Sequence, residues 1–241
     1  MPLVLFFIVV MENDANGIFF YVYLKGGLMP DLGLGQGIVG EHPVMKEVFR
    51  LARRVATSDL AVNIFGETGT GKELLAHFIH AESNRGKGPF VVVDCGILTI
   101  ETARSELFGH VRGAFTGAHQ ARCGLVAEAA AGTLFLDEVG DLDLDLQLQL
   151  LRLIQNGTFR SMGESRVKKA DVRLITATHR DLKALVKEKK FRADLYHRLQ
   201  VVPLELPPLR ARASDIPLLV KHYSLLYQHL TETLDRANPE P

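Results

Sequence analysis

The stretch "LAVNIFGETGTGKELLAHFIHAES", residues 60–83, decides the fold. Residues 60–65 form a short apolar run of strand character. The glycine-rich turn GETGTGK follows at once, and ELLAHFIHAES then repeats its apolar residues at helical spacing. Strand, turn and helix in that order are the setting in which GxxxxGK works as a phosphate-binding loop. Gly66, Gly69 and Gly71 permit close backbone approach. The loop amides, with Glu67, Thr68 and Thr70 between the glycines, and the helix N-terminus cradle phosphates, while Lys72 places a cation on the outer ones. Glu73 stands where a Ser or Thr ordinarily helps to hold magnesium, so the metal must rest on another carboxylate, on water and on the nucleotide phosphates.

TLFLDE, residues 133–138, supplies that carboxylate. It is an apolar strand ending in two acids, at the edge where an open sheet binds its ligands. Asp137 suits a cation that wants oxygen ligands and keeps waters, and Glu138 is placed to polarise an attacking water. Further strands are expected at 90–95, 172–179 and 201–206, and helices near 43–56, 72–82, 145–156, 182–189 and 191–200. With 60–65 and 133–138 these make five core strands. The alternation predicts a mostly parallel sheet with helices on both faces. Thr178 or His179, at a strand end, can meet the γ-phosphate or the attacking water; for His179 a structural hydrogen bond is an equal reading. Arg192 and Arg198 in KFRADLYHRLQ are close to two helical turns apart, so both can project in similar directions and reach a neighbouring chain's nucleotide.

GHVRGAFTGAHQ, residues 109–120, has neither a helical stripe nor a strand-length alternation. It reads as a loop carrying one large apolar tip, Phe115, which needs a pocket to fill or a partner to touch. Composition allows a substantial core: 47% of the 241 residues are apolar. Lys plus Arg and Asp plus Glu both total 28, so no global field favours nucleic acid or a membrane. Cys95 and Cys123 are too few for a disulfide framework and fit a reducing cytoplasm. PLVLFFIVV is less than half a membrane span, and with IFFYVYL it predicts a hairpin over residues 3–24, followed by a glycine-rich linker.

The motifs together resemble the AAA+ ATPase domain of bacterial enhancer-binding proteins, the activators of sigma-54 RNA polymerase. The resemblance is carried by IVGEHPVMKEVF, GETGTGKE, ELFGHVRGAFTGA, GTLFLDEVGDL, QLQLLRLIQNGTF, DVRLITATHRDL and FRADLYHRLQVVPLELPPLRARASDIPLL, over about residues 38–220. GAFTGA is highly specific among ATPases and separates the chain from clamp-loader relatives. The resemblance implies a P-loop AAA+ three-layer α/β sandwich over residues 38–208, the start of a helical lid over 209–241, and an extension with linker over 1–37. It implies ATP and Mg2+ as ligands, with Lys72 and Glu73 in Walker A and Asp137 and Glu138 in Walker B. Gly113, Ala114, Phe115, Thr116, Gly117 and Ala118 would touch sigma-54 within its RNA polymerase holoenzyme. Arg192 and Arg198 would act in trans across a ring, usually a hexamer.

Three positions depart from the family pattern. Asp94 stands where the family has an Asn that restrains the Walker B glutamate; a carboxylate there is expected to repel Glu138 unless one is protonated or a cation intervenes. His179 stands at the usual sensor Asn, and Val126–Ala127 replaces a Phe-Glu pair. The chain stops before the family's second sensor arginine and its helix-turn-helix, which leaves no DNA-binding domain. It therefore reads as a fragment, a pseudogene-like product or a chain dependent on full-length relatives; the alternative function is an impaired nucleotide-binding module that joins or dampens rings of related activators.

Overall fold

The computed structural model describes residues 6–13, 17–24, 27–28, 39–97 and 100–237. In chain order these comprise β1 (Phe6–Asn13), β2 (Gly17–Leu24), β3 (Gly27–Leu28), α1 (Pro43–Ala56), β4 (Val62–Phe65), α2 (Lys72–Ala81), β5 (Phe90–Asp94), α3 (Ile100–Phe108) and α4 (Leu125–Glu128). There follow β6 (Thr133–Asp137), α5 (Leu144–Asn156), β7 (Thr158–Phe159), β8 (Lys168–Lys169), β9 (Arg173–Thr178), α6 (Leu182–Lys187), α7 (Ala193–Leu199), β10 (Val202–Glu205) and α8 (Ile216–Ala237). Two compact units emerge: residues 48–206, and residues 1–47 together with 207–241.

The unit 48–206 is a P-loop α/β sandwich around a five-stranded sheet in the order β10-β4-β9-β6-β5, every pair parallel. Position in the sheet accounts for the sequence of each strand. All six residues of β9 are buried, and the first four of β6, as central parallel strands require; the polar members of β9 are satisfied inside, Arg173 on Val55 O and Ala56 O and Thr176 on Asn63 Oδ1. The edge strands β5 and β10 alternate between buried and accessible positions, and β10 carries Pro203, which an edge tolerates. Leu134, Leu136 and Leu174 join one core with Leu146, Leu150, Leu195 and Leu199 from α5 and α7. Phe135, of opposite parity, turns to the other face, where its ring stacks on Phe90 with centroids 6.0 Å apart.

Local capping sets the ends of the helices behind the site. Asp143 Oδ1 accepts from the amides of Asp145 and Leu146, starting α5, and left-handed Gly157 ends it. Asp143 is thus a cap and not a site residue. Asp181 starts α6 in the same way. The expected helix over 191–200 is shorter: α7 begins at Ala193, leaving Arg192 outside it as an extended cap residue. The nine-residue α3 was not anticipated, because Thr102, Arg104 and Ser105 interrupt its apolar spacing.

In the other unit the backbone of β1 and β2 forms the antiparallel hairpin expected near the N-terminus, with β3 added at its edge. The linker expected after it lies largely outside the described residues. Asp215 Oδ1 accepts from the amides of Glu41 and His42, both at 2.9 Å, just before Pro43 opens α1.

Beneath the phosphate loop, α2 buries two histidines. The His77 ring lies 3.8 Å from that of Phe90, and His80 Nδ1 meets Thr133 Oγ1 at 2.9 Å. Burial, helped by nearby His80, pushes the His77 imidazolium down to about 3, and burial also lowers His80. Both rings are therefore neutral when folded and protonate more readily when unfolded. Stability should fall as pH drops below about 6.5, by about 1.4 kcal/mol per pH unit for each histidine whose folded form stays unprotonated. Urea midpoints of the wild type should decline between about pH 7.5 and 5.5, a window above that of ordinary carboxylates. His77→Leu should flatten that decline, and an equal decline in the variant would contradict the assignment.

Candidate functional site

The carboxyl ends of β4, β5, β6 and β9 meet at one sheet edge, and the sequence-predicted nucleotide residues gather there. Gly66 leaves β4 with its amide donating to Thr178 O at 3.2 Å. The exposed turn then closes through Thr70, whose Oγ1 donates to Glu67 O at 2.8 Å. Gly69 and Gly71 have φ of 80° and 97°, and no atom would lie within 4 Å of a Cβ at Gly69. That left-handed backbone suits glycine, and it brings the turn directly into the N-terminus of α2, the setting of a phosphate cradle. Lys72, the first residue of α2, is 6% exposed, and its Nζ donates to Gly66 O (3.1 Å) and Glu67 O (3.4 Å).

Asp137 and Asp94 stand opposite each other at the ends of β6 and β5. Asp137 Oδ1 accepts from the Glu138 amide at 2.9 Å. Burial raises the Asp137 carboxyl against the opposing pull of that amide and of Lys72, and burial, with Asp137 and Asp94 nearby, raises Glu73. Burial also pushes up the Cys95 thiol, with the four acids around it, so this cysteine is an inert core residue. Glu138 occupies the left-handed region at φ 51°. Its Oε1 lies 3.6 Å from Lys72 Nζ, and its Oε2 meets His179 Nδ1 at 2.7 Å. Asp94 does not take up Glu138: its Oδ1 accepts from the Gly96 amide, two residues on.

Arg192 and Arg198 are not brought into this cluster. Arg192 forms a two-point pair with Asp194, Nε–Oδ1 3.0 Å and Nη2–Oδ2 2.7 Å, and Arg198 is exposed on α7. The backbone of Arg192 is nevertheless fixed. Its amide donates to Oε1 of Gln147, a fully buried side chain on α5 whose Nε2 donates to Leu142 O and Lys190 O. Nothing in the sequence pattern singles out Gln147.

Gly113 through Ala118 form a small closed turn, with the Gly113 amide on Ala118 O at 2.9 Å and the Ala118 amide on Phe115 O at 3.0 Å. Gly113 and Gly117 are left-handed, and Cβ atoms there would meet nothing within 4 Å. Below the turn lies a stem. His110 bridges to Arg122 and to Met162, Arg122 pairs with Glu106, and Gly163 comes close enough to Ala114 that a Cβ would lie 2.8 Å away. Phe115 is 43% exposed, and its ring meets the edge of His110 at 5.0 Å. His110, whose Nδ1 lies 2.7 Å from Ser105 Oγ, is a contributor that the sequence reading missed.

A family model described as "Sigma-54 interaction domain" matches residues 38–205. The chain belongs to the sigma-54 interaction domain family. It is 50% identical over 186 residues to the DNA-binding transcriptional regulator NtrC of Escherichia coli (strain K12), covering 77% of this chain and 40% of that protein. It is likewise 50% identical over 191 residues to the regulatory protein LuxO of Vibrio cholerae, covering 79% of this chain and 42% of LuxO. The crystal structure of NtrX from Brucella abortus in complex with ATP matches with a TM-score of 0.73 and 38% identity, over 80% of this chain and 43% of NtrX. This sigma-54 interaction domain chain thus spans about 40% of the length of the curated relatives it matches. The likeness agrees with the P-loop α/β sandwich described above.

Phe115 is an exposed large apolar residue at the tip of its turn, so Phe115→Ala should shift stability by no more than about 0.5 kcal/mol, the range of surface substitutions. A buried phenylalanine would cost about 3–5 kcal/mol. Thermal unfolding of wild type and variant decides between them.

Proposed function

We propose that this chain is the ATP-hydrolysing part of a sigma-54-dependent activator, and that it remodels the promoter complex of sigma-54 RNA polymerase through the loop 113–118. The observation that carries the reading is the convergence of the phosphate loop, Lys72, Asp137 and Glu138 at one sheet edge, in a chain whose GAFTGA turn is presented on a built stem. The solved NtrX complex with ATP supports the same ligand class.

Asp137 is the residue to hold magnesium. It is a half-buried carboxylate at the end of β6, with β9 between it and the strand that leads into the phosphate loop, and no group of three or more candidate metal ligands occurs among the described residues. That fits a cation bound by one carboxylate, waters and phosphates. When bound, magnesium neutralises charge on the phosphate oxygens. The residues of this chain do the rest. The loop amides and Lys72 hold the β- and γ-phosphates. Glu138 accepts a hydrogen bond from the attacking water, whose oxygen bonds to the γ-phosphorus as the bond to the β-bridging oxygen breaks. ADP and dihydrogen phosphate leave, both hydrogens of the water departing on the phosphate.

Arg192 and Arg198 gain a catalytic part only across a ring interface, where Arg192 exchanges its own Asp194 for a neighbour's γ-phosphate. Sigma-54 and its polymerase are the partners, in the cytoplasm where transcription proceeds. No described helix is long and apolar enough to cross a membrane.

Lys72→Ala should abolish binding of a fluorescent ATP analogue without unfolding the chain. Glu138→Gln should keep that binding and lower turnover by about 10²–10⁴-fold. Wild-type binding without turnover would instead identify an interaction module that joins rings of related chains. Specific activity should rise with protein concentration. Arg192→Ala, inactive alone, should regain part of its activity when mixed with Lys72→Ala, which still offers its arginines. Concentration-independent turnover by a monomer would rule out the trans role.

A further inference from the structure

Arg192 is held in two ways that differ in strength. Its guanidinium rests on Asp194 at the surface, an exposed pair that costs little to exchange. Its backbone rests on a buried side chain. Arg192 stands just before the first turn of α7, where an amide has no helical carbonyl to bond, and Gln147 Oε1 accepts that amide at 2.9 Å. Two residues earlier, Lys190 O takes a hydrogen from Nε2 of the same side chain at 3.0 Å, and Leu142 O takes the other at 2.7 Å. The acceptor and both hydrogens of one amide are thereby engaged.

The rest of the segment is fixed around these anchors. Lys189 is left-handed at φ 59°, a backbone that a lysine keeps only when its surroundings hold it there. The amides of Lys190 and Phe191 both donate to Leu185 O, at 2.9 and 3.2 Å, and Phe191 is buried in the core that holds Leu185 and Leu195. The Tyr196 amide donates to Arg192 O at 3.0 Å, so α7 starts from the point that Gln147 sets. Neither an ionised nor an apolar side chain of this length serves: glutamate would turn acceptors towards two carbonyls, and leucine offers no donor and no acceptor.

We propose that Gln147 is the positioning residue of Arg192: it fixes the point from which the guanidinium reaches a neighbouring chain's γ-phosphate, and Asp194 parks the side chain until then. Being fully buried on α5, Gln147 acts through Arg192 and not on the nucleotide itself. This assignment rests on the ATPase reading above, with Arg192 used in trans, and adds the residue that aims it.

The test uses the full chain with Gln147→Leu. Its kcat should fall by about 10²-fold, the scale of a misplaced group, with KM for ATP unchanged because its own phosphate loop is intact. Mixing shows where the fault lies. Lys72→Ala, whose Arg192 is correctly held, should restore part of the turnover of Gln147→Leu. Lys72→Ala combined with Gln147→Leu in one chain should fail to restore Arg192→Ala, which Lys72→Ala alone does restore. A Gln147→Leu chain that mixing cannot rescue is damaged in its own site, and the proposal falls; wild-type turnover by Gln147→Leu has the same meaning. An Arg192→Ala chain as active as the wild type would instead remove the trans reading, and this assignment with it. Gln147→Glu covers the case in which the leucine variant does not fold. It keeps an acceptor for the Arg192 amide and regains a donor when protonated, so its turnover relative to the wild type should rise as pH falls. A ratio that stays low at every pH would count against the positioning role. Hydrogen exchange reads the contact without turnover: the Arg192 amide should exchange about tenfold faster in Gln147→Leu than in the wild type. Unchanged protection would overturn the assignment.

Discussion

Parallel pairing of β6 with both β5 and β9 is the constraint from which the rest follows. Parallel strands cannot be joined by a tight turn, so each return must run through a helix across one face of the sheet. The same geometry sends every strand's carboxyl end to one edge. Gly66, Asp94, Asp137 and Thr178 are thus neighbours in space while spread over more than a hundred residues of chain. A slip of one residue in β6 would exchange Leu134 and Leu136 for Phe135 on the α5 face and point Asp137 away from the phosphate loop.

That edge concentrates negative charge around one buried cation. Glu73, Asp94, Asp137 and Glu138 lie within mutual influence, with Lys72 tucked against backbone carbonyls beside them. Burial already works against the ionised forms of Glu73 and Asp137, so the polyphosphate and its counter-cation would meet carboxylates held at some electrostatic expense. The sheet tolerates this because Lys72 and the imidazole of His179 bracket Glu138.

What could be read from the sequence was local. Residues 60–83 announce strand, turn and helix within one window, and the run at 133–138 ends visibly in two acids. The five strands and the α/β class follow from such runs because the central strands are buried on both faces. Side-chain partnerships were not legible. The sequence placed Arg192 on the helix with Arg198, whereas its amide is captured by Gln147, 45 residues away, before the helix begins. Asp94 was expected to confront Glu138, but a glycine amide two residues on offers a nearer partner. His110 carries no pattern of its own; only the return of residues 122 and 162 to its backbone makes it a support for Phe115. Each of these depends on which distant backbone group arrives first, and periodicity carries no record of that.

Gln147 has a consequence that reaches beyond its own helix. Its one amide holds the carbonyl of Leu142, just after the acid-bearing edge, and both Lys190 O and Arg192 N at the arginine-bearing corner. It is fully buried, so neither segment could part from it without stranding polar atoms, a loss of about 1–3 kcal/mol. The two segments are geared together. One buried side chain is thus the shared anchor of the segment that follows the acids and of the segment that carries Arg192.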